Sequence, residues 1–294
     1  RSINASSLSF AMTLEALKGS ASPFDERLHA TRPHAGSLDA AFNVRALLSD
    51  SEILKSHENC PKVQDPYSVR CVPQVHGATR DALVHAAGTL EVEINSATDN
   101  PVILEDGTII SGGNFHGQPL ALTLDYLTMA LSELANISER RLALLISGHD
   151  GLPPLLMEET GLNSGFMLPQ YTAAALVSEN KVLSTPACVD SIPTSLGFED
   201  HVSMGSISAR KACQVLKNVE TVLSIELMCA AQALDYRSLV SPGRGVAAAH
   251  NVVRKYITHT ESDRLFQDDI QAALALVRKE TILQAVEKET GGLR

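Results

Sequence analysis

Residues 200–237 read DHVSMGSISARKACQVLKNVETVLSIELMCAAQALDYR, and their spacing decides the fold class. Val202, Ile207, Val215, Leu216, Val219, Val222, Leu223, Leu227, Met228, Ala231 and Leu234 recur at threes and fours, with no Pro and no Gly after Gly205. That is the period of one helix face. A helix of more than ~30 residues, rising about 1.5 Å per residue, exceeds roughly 45 Å. Such a length is large for one compact monomer and points to a helical bundle shared between subunits.

Outward from this segment the same period returns. A second long helix is expected from Pro119 to a stop at Gly148, carrying Leu120, Leu124, Leu127, Leu131, Leu134, Ile137 and Leu144. A third begins at Pro73 and fades near Asn95. Between these two, Val102-Ile103-Leu104 and Thr108-Ile109-Ile110 flank Glu105-Asp106-Gly107, a small hairpin turned by Asp-Gly. Residues 164–184 make a fourth helix, whose start Pro169 kinks or delays, and residues 262–278 and 280–290 make two more. Val240-Ser241-Pro242-Gly243-Arg244-Gly245 reads as a linker dividing a central helical bundle region, 1–240, from a C-terminal helical region, 241–294. The expectation is an all-α, long-helix bundle with a small β-hairpin.

Bulk composition narrows the partners. The 294 residues are 44% hydrophobic, enough for a sizeable core, and 24 Lys plus Arg stand against 34 Asp plus Glu for a net charge of -10. A scattered acidic excess argues against nucleic acid and anionic membranes as partners. No apolar run reaches the roughly 18 to 20 residues that span a bilayer. Cys60, Cys71, Cys188, Cys213 and Cys229 are odd in number and widely spaced, which speaks against a disulfide framework or a zinc site and for a reducing cytoplasm. The ten histidines form neither H-E-x-x-H nor H-x-x-H, and His29 and His34 flank Arg32-Pro33 on an apparent loop, so no metal is expected. A G-x-S-x-G elbow and a phosphate-binding Gly loop are also missing.

Four polar clusters interrupt the helical pattern. Gln64-Asp65-Pro66-Tyr67-Ser68-Val69-Arg70-Cys71 offers an amide, a phenol and a guanidinium just before a helix. Arg70 could grip a carboxylate and Tyr67 could move a proton; a plain helix-entry loop whose Arg caps a carbonyl is the simpler alternative. In Ser111-Gly112-Gly113-Asn114-Phe115-His116-Gly117, paired glycines permit close approach and Phe115 either presents a ring to a ligand or is buried at a hairpin exit. Ser195-Leu196-Gly197-Phe198-Glu199-Asp200-His201 is expected at the start of the longest helix, where carboxylates favour the dipole; alternatively Glu199 points into a pocket to bind a basic ring. Asn95-Ser96-Ala97-Thr98-Asp99-Asn100-Pro101 is most simply a helix exit and Pro turn.

Taken in order, these strings resemble the histidine ammonia-lyase branch of the aromatic amino acid lyase family. The likeness also includes His29-Ala30-Thr31-Arg32-Pro33-His34, Ser138-Glu139-Arg140-Arg141, Leu162-Asn163-Ser164-Gly165-Phe166-Met167 and Ser178-Glu179-Asn180-Lys181. It implies elimination of ammonia from L-histidine to give trans-urocanate, with a methylidene-imidazolone (MIO) electrophile formed from Ala-Ser-Gly. It further implies a cytoplasmic homotetramer whose active sites are shared between subunits. By the same resemblance Arg70 pairs with the substrate carboxylate, Gln64 lies in the same pocket, Tyr67 stands beside the cofactor, Phe115 packs near it, and Glu199 faces the imidazole. Phenylalanine-directed relatives carry an amide where Glu199 stands.

Three departures accompany the likeness. No Ala-Ser-Gly occurs, Gly19-Ser20-Ala21-Ser22 being nearest, so the electrophile is expected in an N-terminal segment upstream of Arg1, without which the chain should be inactive. Gly197-Phe198 stand where many bacterial relatives are polar, and the tail from Ser241 matches loosely. The rivals are a phenylalanine or tyrosine ammonia-lyase or aminomutase with the same electrophile, a non-catalytic helical scaffold, and a fumarase-type helical lyase, whose G-S-x-x-M-P-x-K loop is missing.

Overall fold

A computed structural model describes residues 2–58 and 62–294; Arg1 and Cys60 lie outside the described residues. The first part of the chain forms α1 (Ser2–Ala16), α2 (Glu26–Ala30), α3 (Ala35–Leu47), α4 (Glu52–Lys55), α5 (Tyr67–Arg70) and α6 (Val72–Ile94). A two-stranded antiparallel hairpin follows, β1 (Val102–Ile103) on β2 (Ile109–Ile110), with Val102 opposite Ile110. Then come α7 (Gln118–Ile146), α8 (Met167–Leu183), α9 (Gly205–Asp235), α10 (Arg244–Tyr256), α11 (Phe266–Arg278) and α12 (Thr281–Thr290). The all-α expectation and the Asp-Gly hairpin are borne out.

α9 is the axis of the molecule: α1, α7, α8 and α11 all pack on it, α6 lies between α3 and α7, and α10 packs on α12. From Asn218 to Leu234 every residue of α9 except Thr221 is buried, so this half of the helix is core on all sides. Pro169 falls in the first turn of α8, where an N–H has no helical partner to lose, and so it delays the start without a kink.

Several expectations are corrected. Glu199 does not begin the longest helix, which starts at Gly205. Ser195, Leu196 and Gly197 take φ of 53, 58 and 88°, and Thr194 pairs with Glu199, turning the chain back on itself before the helix can start. His29 is in α2 rather than a loop, buried, with Nε2 2.9 Å from the Pro23 carbonyl. The stretch expected as a linker is packed: a Cβ on Gly243 would meet the Leu47 carbonyl oxygen at 2.7 Å, and one on Gly245 the Leu47 Cα at 2.8 Å. One hydrophobic cluster accordingly runs from Ile3 to Val286. α1 leaves no periodic stripe because it too is buried on nearly every side.

The central charged groups inside this core are matched to each other. Arg141 of α7 and Glu226 of α9 are both 0% exposed; Nη2 donates to Oε2 at 2.7 Å and Nε to Oε1 at 2.5 Å. Glu226 also accepts from Ser9 Oγ (3.1 Å), Thr13 Oγ1 (3.0 Å) and Ser138 Oγ (2.6 Å), which explains the hydroxyl-rich face of α1. The Arg141 guanidinium lies 5.2 Å over the Phe10 ring. Burial, then the Arg141 and Arg80 charges, push the His76 pKa well down and keep that ring neutral. Among the described residues no helix is long and apolar enough to cross a membrane, and Cys71, Cys188, Cys213 and Cys229 are free thiols.

Two predictions follow from these buried charges. Arg141→Met strands the Glu226 carboxylate and should cost about 3–5 kcal/mol of unfolding free energy, whereas Arg141→Met with Glu226→Leu should cost less than the single change. Additive losses in a double-mutant cycle would show that the two charges do not support each other. Glu15 behaves in the opposite sense: burial pushes its carboxyl from 4.5 up to about 7, against hydrogen bonds from Ser51 and the Gly243 N–H. The folded state then binds more protons than the unfolded state between those values. Stability therefore falls as pH rises through that window, by on the order of 3 kcal/mol once ionisation is complete. Glu15→Gln should remove the slope, melting higher than the parent at pH 9 and close to it at pH 5; parallel melting profiles would refute this.

Candidate active site

The first polar cluster is a helical turn rather than a loop. Pro66 precedes α5, and Val69 is buried beneath it. The Ser68 carbonyl oxygen lies 3.4 Å from Arg141 Nη1, so the core arginine also seats α5 on α7. Asp65 accepts from the Ser20 N–H at 2.6 Å and pairs with Lys62 at 3.0 Å, anchoring the approach to the turn. Beside it Gln64, exposed, helps to line a polar cavity of about 310 Å³ with Ser20, His57 and Lys62. Tyr67 is 70% exposed, and the Arg70 guanidinium lies 4.7 Å from its ring centroid. Among the described residues Arg70 caps no carbonyl and makes no ion pair, and its Nε is buried without a partner. A cation and a phenol are thus held side by side with bonding capacity unspent.

The second, third and fourth clusters meet elsewhere. Asn100 Oδ1 accepts from the Gly112 N–H at 2.8 Å and from Ser111 Oγ at 3.1 Å, so the expected Pro turn also anchors the strap of residues 111–117. Phe115 on that strap is 57% exposed, which excludes a core role. His116 Nε2 lies 3.1 Å from the His201 carbonyl oxygen, bringing the strap against the loop that carries Glu199. Glu199 is exposed and accepts a short hydrogen bond from Thr194 Oγ1. Hydrogen bonds from Thr194 and Ser195 lower its pKa, so the carboxylate is ionised at neutral pH.

Sequence reasoning missed Asp125, a buried acid on α7. It accepts from the Ala187 and Cys188 N–H groups at 2.7 and 2.8 Å and pairs with Lys211 at 2.7 Å, pinning the base of the Glu199 loop between α7 and α9. No motif advertises it; the only signal is an acid among apolar helix positions. Among the described residues no group of three or more His, Cys, Asp and Glu is arranged to hold a metal ion.

The sites are far apart within one chain. Gln118 at the start of α7 adjoins the Phe115 strap and donates to the Cys188 carbonyl of the Glu199 loop at 3.1 Å, while Arg141 near the other end touches α5. At 1.5 Å per residue that is roughly 35 Å of helix. Tyr67 and Arg70 therefore do not share a pocket with Phe115 and Glu199 in this chain. Tyr67, Phe115 and Glu199 are exposed, while Arg70 Nε is buried without a partner among the described residues.

Comparison with known proteins identifies relatives of this chain. The chain is 56% identical over 291 residues to the histidine ammonia-lyase of Sorangium cellulosum, a match covering 96% of this chain and 57% of that protein. Among solved structures, histidine ammonia-lyase from Trypanosoma cruzi superposes with a TM-score of 0.90 at 40% identity, covering 98% of this chain and 55% of that one. Tyrosine aminomutase from Streptomyces globisporus superposes at 0.92 with 38% identity, covering 100% and 60%. The chain thus spans little more than half the length of these relatives. With its long helical axis and a match of residues 1–255 to the family described as aromatic amino acid lyase, this chain belongs to the aromatic amino acid lyases.

Proposed function

We propose that this chain is part of a cytoplasmic enzyme that eliminates ammonia from L-histidine to give trans-urocanate. The observation that carries the proposal is Glu199: an ionised carboxylate on an exposed loop beside an exposed aromatic ring. An imidazole N–H donates well to a carboxylate, whereas a phenyl ring has nothing to donate, so Glu199 favours histidine over phenylalanine. Arg70 presents a guanidinium for the substrate carboxylate, and Gln64, six residues earlier on the same segment, adds an amide. Tyr67 holds its ring against that cation, and its exposed phenol is available to exchange a proton at the amino end of the substrate. Phe115 packs against the ring and excludes water.

The hydrogen removed lies on a β-carbon with no adjacent carbonyl, and a free amine leaves poorly. An MIO group, when present beside Tyr67 and Phe115, would supply an electrophile for the amine and make it a better leaving group. The residues present fit that group: Arg70 Nε is unpartnered, and Tyr67 and Phe115 are exposed rather than packed into their own chain.

A homotetramer with shared sites accounts for the roughly 35 Å separation of the half-sites along α7. It also gives a role to apolar side chains left exposed on the long helices, among them Val84, Val92 and Ile94 of α6, Leu122 and Tyr126 of α7, and Tyr171 of α8.

In the complete protein, Glu199→Gln should lower kcat/KM for L-histidine by about 10- to 100-fold, the worth of a hydrogen bond to a charged group. Urocanate is followed by its ultraviolet absorbance, and unchanged kinetics would remove the assigned role; a β-amino acid product would identify an aminomutase instead. Subunit sharing makes a separate prediction. Inactive Arg70→Ala and Glu199→Ala proteins, unfolded and reassembled together at equal amounts, should regain roughly a quarter of the parent activity, because half of each contribution is intact. No recovery would mean that both residues serve one site from one chain.

A further inference from the structure

We infer that His116 and His201 form a clasp that positions Phe115 and Glu199 against a single substrate ring, with His116 as a positioning residue; this rests on the histidine-lyase reading above. The two loops are 85 residues apart in sequence and share no strand pairing. What joins them is the histidine pair. Their rings stack at 24° with centroids 5.5 Å apart, His116 Nε2 lies 3.1 Å from the His201 carbonyl oxygen, and His201 Nδ1 lies 3.4 Å from the same nitrogen.

The chemistry of the contact sets its tautomers. A carbonyl oxygen only accepts, so His116 Nε2 must carry a hydrogen and donate it. His201 Nδ1 faces that N–H and is complementary to it only as an acceptor, with its own hydrogen on Nε2. Behind the rings the loops remain in contact: a Cβ on Gly117 would lie 3.0 Å from Ser203 Oγ. At its far end the strap is held by Asn100. The strap is thus tied at both ends, and its inner tie runs through His116.

The consequence is geometric. Phe115 immediately precedes one histidine and Glu199 lies two residues before the other, so the clasp sets the spacing between an aromatic face and a carboxylate. A ring stacked on Phe115 and hydrogen-bonded at its edge to Glu199 needs that spacing held within a fraction of an ångström. Neither histidine belongs to the hydrophobic cluster, so replacing it should not unfold the bundle.

The test uses the complete protein with two variants. His116→Leu keeps bulk but removes the donor, and His116→Gln returns an N–H at similar reach. For His116→Leu the KM for L-histidine should rise up to roughly 10-fold, the range of one neutral hydrogen bond, with kcat changed little. His116→Gln should restore most of the loss, and melting temperatures should be unchanged. Amide hydrogen exchange should quicken in residues 111–117 and 198–203 of the Leu variant and not in the Gln variant. Unchanged KM and exchange in His116→Leu would overturn the clasp, as would equal losses of activity and melting temperature in both variants. If the parent does not process L-histidine but the exchange difference is seen, the clasp stands and the activity reading falls.

Discussion

The buried pair of Arg141 and Glu226 is the constraint on which the rest of the structure depends. Two charges at 0% exposure are tolerated only because each is satisfied by several partners: Glu226 collects three hydroxyls besides the guanidinium, and Arg141 adds the Phe10 ring and the Ser68 carbonyl. These partners come from α1, α5, α7 and α9, so one ion pair sets the register of the central helices. Because Ser68 lies within α5, the same pair seats the turn bearing Tyr67 and Arg70. Core electrostatics and site geometry are coupled through a single guanidinium.

The opposite end of α7 is organised by a second, smaller ion pair, in which only the carboxylate is fully buried. There Asp125 and Lys211 hold the base of the loop that carries Glu199, and Asn100 holds the strap that carries Phe115. Local hydrogen bonds suffice because the segments are short and each is tied at two points. The resulting platform is exposed, as the proposed binding of a substrate there requires. Long helices separate the two platforms, so the distance between them is a rigid property of the bundle rather than of loop conformation.

Exposed apolar side chains on α6, α7 and α8 belong to the same logic. Within one chain they find no cover, while the half of α9 between Asn218 and Leu234 is almost wholly enclosed. The helix of 31 residues is enclosed over one half, and its first half carries exposed positions, as the proposed assembly would use.

The sequence by itself determined the helical class, the bounds of the long helices to within a few residues, the hairpin and the residue types available for chemistry. Those features are local: a period of 3.6, an Asp-Gly turn, a proline near a helix start. It could not show α1 as a helix, because burial on nearly all sides erases the stripe by which amphipathic helices are read. It also misplaced Glu199 at a helix start, since the positive φ values of Ser195 and Leu196 arise from a turn that no residue preference at those positions announces. Only the tertiary structure decided that Phe115 and Glu199 lie on adjoining loops, that Asn100 and Asp125 hold them, and that Arg70 stands at the far end of α7. Such relations join positions scores of residues apart, and contact across that separation is fixed by packing, which leaves no periodic trace in the chain.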